Sequence, residues 1–181
     1  MAYVRECGYP VPEVEVLSDT DMRLERIDGP TMLEDLARRP WRVLAHARTL
    51  ASLHDALHAI DAPKWLETAE PGSAVLHLDL HPANVLLGSR GPFVIDWANA
   101  RRGPGALDVA LAWVILATSD LQPGPSRPVV GALRGLFVRA FLSRFDPVVV
   151  GAALAAAAAR RLADRNVNER ERERVRRLAR L

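Results

Sequence analysis

The stretch His77-Leu78-Asp79-Leu80-His81-Pro82-Ala83-Asn84, with Asp96 of Val94-Ile95-Asp96-Trp97 twelve residues beyond Asn84, holds the densest chemistry in the chain. Residues 75–80 alternate apolar and polar, which predicts a strand, and Pro82 stops it, so Asp79 sits at the strand's mouth in a loop. Residues 84–87 and 93–97 read as two further strands joined by the turn Ser89-Arg90-Gly91-Pro92. Paired across that turn, Asn84 lies opposite Trp97 and Asp96 opposite Val85, and facing residues in a hairpin are about 5 Å apart. Asn84 and Asp96 then emerge at one end, which Asp79 also reaches. Two carboxylates and an amide oxygen converging there make a hard-oxygen site of the kind Mg²⁺ prefers.

That set of groups suits phosphoryl transfer, which needs little covalent work from a protein and much management of charge. Asp79 is the candidate base for an attacking hydroxyl, and Asn84 and Asp96 are the candidate metal ligands. Asp96 follows Phe93-Val94-Ile95 at the end of a strand read as buried, where an unpaired carboxylate would be costly. A metal or a hydrogen-bond network is therefore expected to satisfy it. His77 shares a face with Asp79. His81 could line the acceptor or phosphate side, or be a plain loop histidine.

Outward from this centre the pattern is α+β. Residues 13–17 and 22–27 read as short strands around Ser18-Asp19-Thr20-Asp21. Gly29-Pro30 breaks the chain, and Thr31 caps a helix through Arg38, with Glu34 as capping-box partner. Residues 41–60 carry apolar side chains at 43, 44, 47, 50, 51 and 57, a helical period with one buried stripe. A helix over 106–118 is apolar almost all round and is expected to be buried. A proline-rich linker at 122–128 leads to three helices near 129–144, 147–165 and 168–180. Two strands, two helices, three strands and then helices alone give a small β element backed by a helical mass.

With 181 residues, 49% hydrophobic and 25% charged, the chain has the composition of one globular domain. No apolar run reaches the roughly 18–20 residues that cross a bilayer, which argues against a membrane partner. The single cysteine, Cys7, excludes an internal disulfide framework and fits a reducing cytoplasm. The 24 basic residues include one lysine, Lys64, yet net charge is only +2. Residues 165–181 hold seven arginines against Glu169, Glu171 and Glu173. The interleaved acids suit a solvated helix, and no aromatic stacking residues support nucleic-acid binding. His54-x-x-x-His58 has helical zinc-ligand spacing, but Asp55 stands where a zinc protease needs glutamate, and His54 falls on the buried stripe. His77-x-Asp79-x-His81 is a second three-ligand pattern on one strand face. Neither is read as a catalytic zinc site.

His77-x-Asp79-x-x-x-x-Asn84 followed by Asp96 resembles the catalytic and metal-binding loops of the aminoglycoside phosphotransferase family, whose fold is protein-kinase-like. Gly8-Tyr9-Pro10-Val11-Pro12, Leu24-Glu25-Arg26-Ile27-Asp28-Gly29, Leu53-His54 and Asp108-Val109-Ala110 occupy family-like places, over residues 3–115. The resemblance implies an α+β kinase-like C-lobe over 29–181, preceded over 1–28 by an N-lobe remnant: the end of a helix, two strands and a hinge. It implies transfer of the ATP γ-phosphate to a small-molecule hydroxyl, with ATP and Mg²⁺ as cofactors and a small-molecule hydroxyl acceptor as partner. Asp79 becomes the base, and Asn84 and Asp96 the metal ligands. The backbone carbonyl of Glu25 and amide of Ile27 would hold adenine. His77 becomes a support of the loop, and Asp108 either a helix cap or, by resemblance, a brace of the catalytic loop. Arg101 and Arg102 meet either phosphate or surface acids.

Family members begin with a phosphate-covering Gly-rich loop and a strand lysine, and neither motif occurs here. The reading is therefore of an N-terminally truncated phosphotransferase, with a non-catalytic, pseudokinase-like binding or regulatory module as the alternative. A kinase-like C-lobe lacking most of its N-lobe should expose apolar surface, so self-association is expected as well.

Overall fold

The computed structural model describes residues 1–18, 21–120 and 127–180. The expected 122–128 linker and the centre of the 18–21 turn lie largely outside them. The architecture is α+β: seven helices and three two-stranded antiparallel sheets among the described residues.

Helix α1 (Ala2–Glu6) is followed by strands β1 (Val14–Val16) and β2 (Met22–Leu24). Both strands are shorter than the 13–17 and 22–27 spans expected, and they pair with Val14 facing Leu24 and Val16 facing Met22. This hairpin leaves Val16, Met22 and Leu24 exposed. Residues of the N-terminal segment instead enter the main core: Val4, Tyr9 and Val11 are buried, and the Tyr9 hydroxyl donates to the Leu53 carbonyl at 3.1 Å.

Helix α2 (Met32–Arg38) starts as expected, with Thr31 and Glu34 forming both hydrogen bonds of a capping box. A 3₁₀ turn (Pro40–Arg42) leads into α3 (Val43–His58). The buried stripe of α3 runs through Val43, Ala47, Leu50, Ala51 and Leu57 but also takes in His46 and His54, while Leu44 faces out. Helix α4 (Gly105–Thr118) is buried along most of its length, as its composition requires. Helices α5 (Arg127–Leu142), α6 (Pro147–Ala163) and α7 (Glu169–Ala179) follow, and α3, α4, α5 and α6 enclose the core around Leu50, Leu57, Leu107 and Phe141.

Four of the seven C-terminal arginines, Arg172, Arg174, Arg176 and Arg177, find partners within the chain. Arg174 donates to the Thr118 carbonyl at 2.6 Å, and Arg134 donates to the carbonyls of Ala117 and Ser119. These cations close the carbonyl end of α4, where positive charge is favourable. No single helix among the described residues is long and apolar enough to cross a membrane.

The middle of the chain departs from expectation in three places. Strand β3 ends at Leu76 (Ala74–Leu76) rather than running to residue 80, and it pairs with β6 (Arg101–Gly103), a strand the sequence did not signal. The cause lies in the next two residues. The amides of His77 and Leu78 go to the carboxylate of Asp108, and Leu78 turns into the left-handed region at φ 60°. In the hairpin of β4 (Val85–Gly88) and β5 (Gly91–Val94), Val85 faces Val94 and Gly88 faces Gly91. The turn is thus Ser89-Arg90 alone, and the register differs by two from the expected Asn84–Trp97 and Asp96–Val85 pairs. A slip of two preserves which face each side chain occupies, whereas a slip of one would reverse it. Asn84 is level with Ile95, whose amide donates to the Asn84 carbonyl at 3.0 Å.

Candidate active site

The site forms where three loops meet: the one after β3, the 3₁₀ turn Pro82–Asn84 that opens β4, and the end of β5. Asp108, in the first turn of α4, organises the first of these. Its buried carboxylate accepts from the amides of His77 (3.0 Å) and Leu78 (2.7 Å) and from Nε2–H of His58 (3.0 Å). Burial alone would raise its pKa, but the His58 hydrogen bond and the surrounding imidazoles reverse that and hold it far below the usual carboxylate range. Asp108 is therefore a brace and not a helix cap, since Pro104 occupies the cap position of α4.

His77 is fully buried and its tautomer follows from its partners. Its Nδ1 accepts from the Asp79 amide at 3.2 Å, so Nε2 carries the proton and donates to the Ile95 carbonyl at 3.0 Å. One ring thus ties the Asp79 loop to the strand end that carries Asp96. Trp97 packs on the same ring at 4.7 Å between centroids.

Asp79 leaves 23% of its side chain exposed. Asn84 donates its side-chain amide to both the carbonyl of Asp79 (2.9 Å) and its carboxylate (3.1 Å). His81 accepts from the Ala83 amide through Nδ1 at 3.3 Å, which leaves Nε2–H facing the Asp79 carboxylate at 3.4 Å. Partial burial opposes ionisation of Asp79. The His81 hydrogen bond, the nearby His81 and His77 rings and the Asn84 amide outweigh it, so the carboxyl lies below its ordinary pKa. Asp79 is an ionised, oriented and accessible acceptor of hydrogen bonds.

Asp96 differs from expectation. It lies beyond the last residue of β5, is exposed, and takes a left-handed φ of 63°. Burial therefore does not oblige it to find a partner, because the strand ends before it. Non-glycine residues held in that conformation cost of order 1–3 kcal/mol and cluster at functional sites.

The hinge-like segment is held against β4. Leu87 donates its amide to the Pro30 carbonyl at 2.9 Å, and a Cβ on Gly29 would lie 2.1 Å from the Leu87 carbonyl oxygen. Arg90 pairs with the side chain of Glu25. Among the described residues, the carbonyl of Glu25 and the amide of Ile27 make no hydrogen bond within the chain. Arg101 pairs with Glu67 at 3.1 Å and Arg102 donates to Thr68 at 2.9 Å, so both arginines serve local structure.

Comparison with known proteins gives the class. The model of the phosphotransferase enzyme family (APH) matches residues 14–144, which is most of the chain. The chain belongs to this family of phosphotransferase enzymes. Among solved structures, the aminoglycoside-3'-phosphotransferase of type VIII is similar with 21% identity and a TM-score of 0.49, covering 97% of this chain and 75% of that one. The amicoumacin kinase hAmiN in complex with AMP-PNP, Ca²⁺ and Ami is similar with 12% identity and a TM-score of 0.47, covering 99% and 73%. A search of curated proteins gave no match.

Proposed function

We propose that the chain transfers the γ-phosphate of ATP to a hydroxyl group of a small molecule, with Asp79 as the base. The observation that carries this is the state of Asp79: ionised, partly exposed, and fixed by Asn84 and His81 with its carboxylate open to an acceptor. In the proposed step Asp79 accepts a hydrogen bond from the acceptor hydroxyl and aligns its lone pair on the γ-phosphorus. It takes the proton as the new P–O bond forms and the bond to the β–γ bridging oxygen breaks, releasing ADP.

The donor set fits Mg²⁺. Asn84 spends its N–H₂ on Asp79, which leaves its amide oxygen for a hard cation, and Asp96 offers a carboxylate without a partner among the described residues. Asn84 and Asp96 would hold the ion, whose charge would neutralise the phosphate oxygens. The free carbonyl of Glu25 and amide of Ile27 are the proposed adenine contacts. In this reading residues 1–28 bear the nucleotide's edge and 29–181 the catalytic loops. The exposed apolar side chains of the β1–β2 hairpin support self-association there, which light scattering would detect as a mass above that of one chain.

Radiolabelled γ-phosphate transfer, assayed over a panel of hydroxylated acceptors, tests the reading. Asp79→Asn should lower transfer by about 10²–10⁴-fold, the usual worth of a general base. Equal turnover by the variant would remove Asp79 from the reaction. Absence of transfer and of nucleotide binding by the folded parent chain would favour a non-catalytic module.

A further inference from the structure

Behind the catalytic loop, helices α3 and α4 bring together three side chains that phosphoryl transfer does not use as ligands: His54, His58 and Asp108. One donor atom from each lies within 4.8 Å of the others. His54 and His58 stand four apart on one face of α3, and Asp108 approaches from the first turn of α4.

The hydrogen bonds fix which atoms are free. Nε2 of His54 lies 3.3 Å from the Leu80 carbonyl, which can only accept, so that nitrogen carries the proton. Nδ1 is then a bare lone pair, fully buried and without a hydrogen-bond partner. What it faces is the Asp108 carboxylate, with Oδ2 at 3.7 Å. Two acceptors buried face to face repel each other, and a cation between them converts that repulsion into two bonds. His58 contributes the third donor: its Nε2, 3.0 Å from the same Oδ2, gives its proton to that carboxylate as a hydrogen bond in the metal-free chain, and an ion would take the place of that proton.

We propose that His54 Nδ1, His58 Nε2 and Asp108 Oδ2 form a site for one divalent transition-metal ion of the zinc class, distinct from the Asp79–Asn84–Asp96 centre. Zinc–nitrogen and zinc–oxygen bonds of about 2.0–2.2 Å in a tetrahedral arrangement set donors roughly 3.4 Å apart. The observed 3.0 and 3.7 Å separations straddle that spacing. The surroundings match what ligating groups require, since a zinc-bound histidine passes its other N–H to a carbonyl and a zinc-bound carboxylate is itself hydrogen-bonded. Leu80 does the first, and the amides of His77 and Leu78 do the second. Burial keeps the His54 imidazole neutral, its pKa lowered to about 4, so protons compete little for the lone pair near neutrality. Phe141 and Phe145 cover the site on one side. On the other, His58 lines a cleft of about 180 Å³ together with Asp55, Gly105 and Asp146, the side from which an ion would approach. Zinc-protease chemistry is not implied, because Asp55 is one carbon too short for the usual glutamate. The role of the ion is to clamp α3 to α4 and to stiffen Asp108, which holds the catalytic loop.

The test uses the full chain after chelator treatment, titrated with Co²⁺ as a visible probe and then with Zn²⁺. The proposal predicts one equivalent of Co²⁺ with the intense visible bands of a four-coordinate ion, displaced by Zn²⁺, and a raised unfolding temperature with Zn²⁺. His58→Ala, at a half-buried position, should lose the bands, and Asp96→Asn should keep them. A folded parent chain that takes up no Co²⁺ and gains no thermal stability from Zn²⁺ overturns the proposal. So do bands that survive His58→Ala or vanish in Asp96→Asn. None of these outcomes bears on Asp79, so the phosphotransferase reading stands or falls separately.

Discussion

Asn84 gives both hydrogens of its side-chain amide to Asp79, one to the main-chain oxygen at 2.9 Å and one to the carboxylate at 3.1 Å. The two residues are five apart, with the 3₁₀ turn Pro82–Asn84 between them, and the bond pair closes that turn into a ring. This geometry orients the proposed base before any substrate arrives. It also makes the ionisation of Asp79 depend on its neighbours.

That dependence is measurable without turnover. Asn84→Asp replaces a donor with an anion at hydrogen-bond distance, and His81→Ala removes the imidazole N–H facing the other oxygen. Both changes should move the Asp79 titration to higher pH, followed by carboxyl-carbon NMR. An Asp79 titration that stays in place in both variants would contradict the described contacts.

Gly29 is a structural prediction. A methyl there would meet the Leu87 carbonyl oxygen at 2.1 Å, a backbone atom that cannot rotate away. Gly29→Ala should cost more than about 2 kcal/mol in urea unfolding, in the range of overpacking and lost backbone contacts. Gly8→Ala is the control: it has φ 83° but open space around it, so only the left-handed conformation is charged, about 1 kcal/mol.

Acid should destabilise the metal-free chain through its buried imidazoles. Burial lowers the pKa of His54 from 6.5 to about 4, and burial lowers that of His77 as well. A base whose folded pKa is depressed binds more protons when unfolded, so folding stability is full above pH 6.5. It is lost as pH falls through the window from 6.5 to about 4. His54 alone contributes on the order of 3 kcal/mol to that loss. With chelator present, His54→Gln should flatten the fall in stability between pH 7 and pH 5. An unchanged slope would mean that His54 is protonated in the folded chain.

Phe141 tests the helical core. It is fully buried, with its ring 5.3 Å from His54 and 5.2 Å from Phe145. Phe141→Ala should cost about 3–5 kcal/mol. A loss below about 1 kcal/mol would mean that α5 does not pack on α3 as described.

The local rules were legible in the sequence and the long-range ones were not. Thr31 and Glu34 announce the start of α2 because a capping box is written within four residues. The apolar surround of α4 announces its burial. The β4–β5 hairpin was visible as two apolar runs around a turn, but the turn is tighter than Ser89-Arg90-Gly91-Pro92 suggests, and nothing local sets a register against a slip of two. β6 is Arg-Arg-Gly, which has no strand pattern, and is a strand only because β3 lies beside it. The Asp108 brace spans 31 residues to His77 and 50 to His58, so spacing alone cannot give it, and only the family resemblance of Asp108-Val109-Ala110 points to it. The exposure of Asp96 is hidden in the sequence because the apolar run Phe93-Val94-Ile95 reads as continuous strand, whereas the strand ends at Val94 and the backbone turns left-handed at Asp96.

Nucleotide binding at the Asn84–Asp96 end is tested by calorimetric titration of the 181-residue chain with ATP in Mg²⁺, repeated on Asp96→Asn. A saturable heat is expected from the parent chain and is lost in the variant, while the variant's unfolding midpoint stays unchanged. Binding of equal strength in the two proteins, or no binding by a folded parent chain, would contradict that expectation.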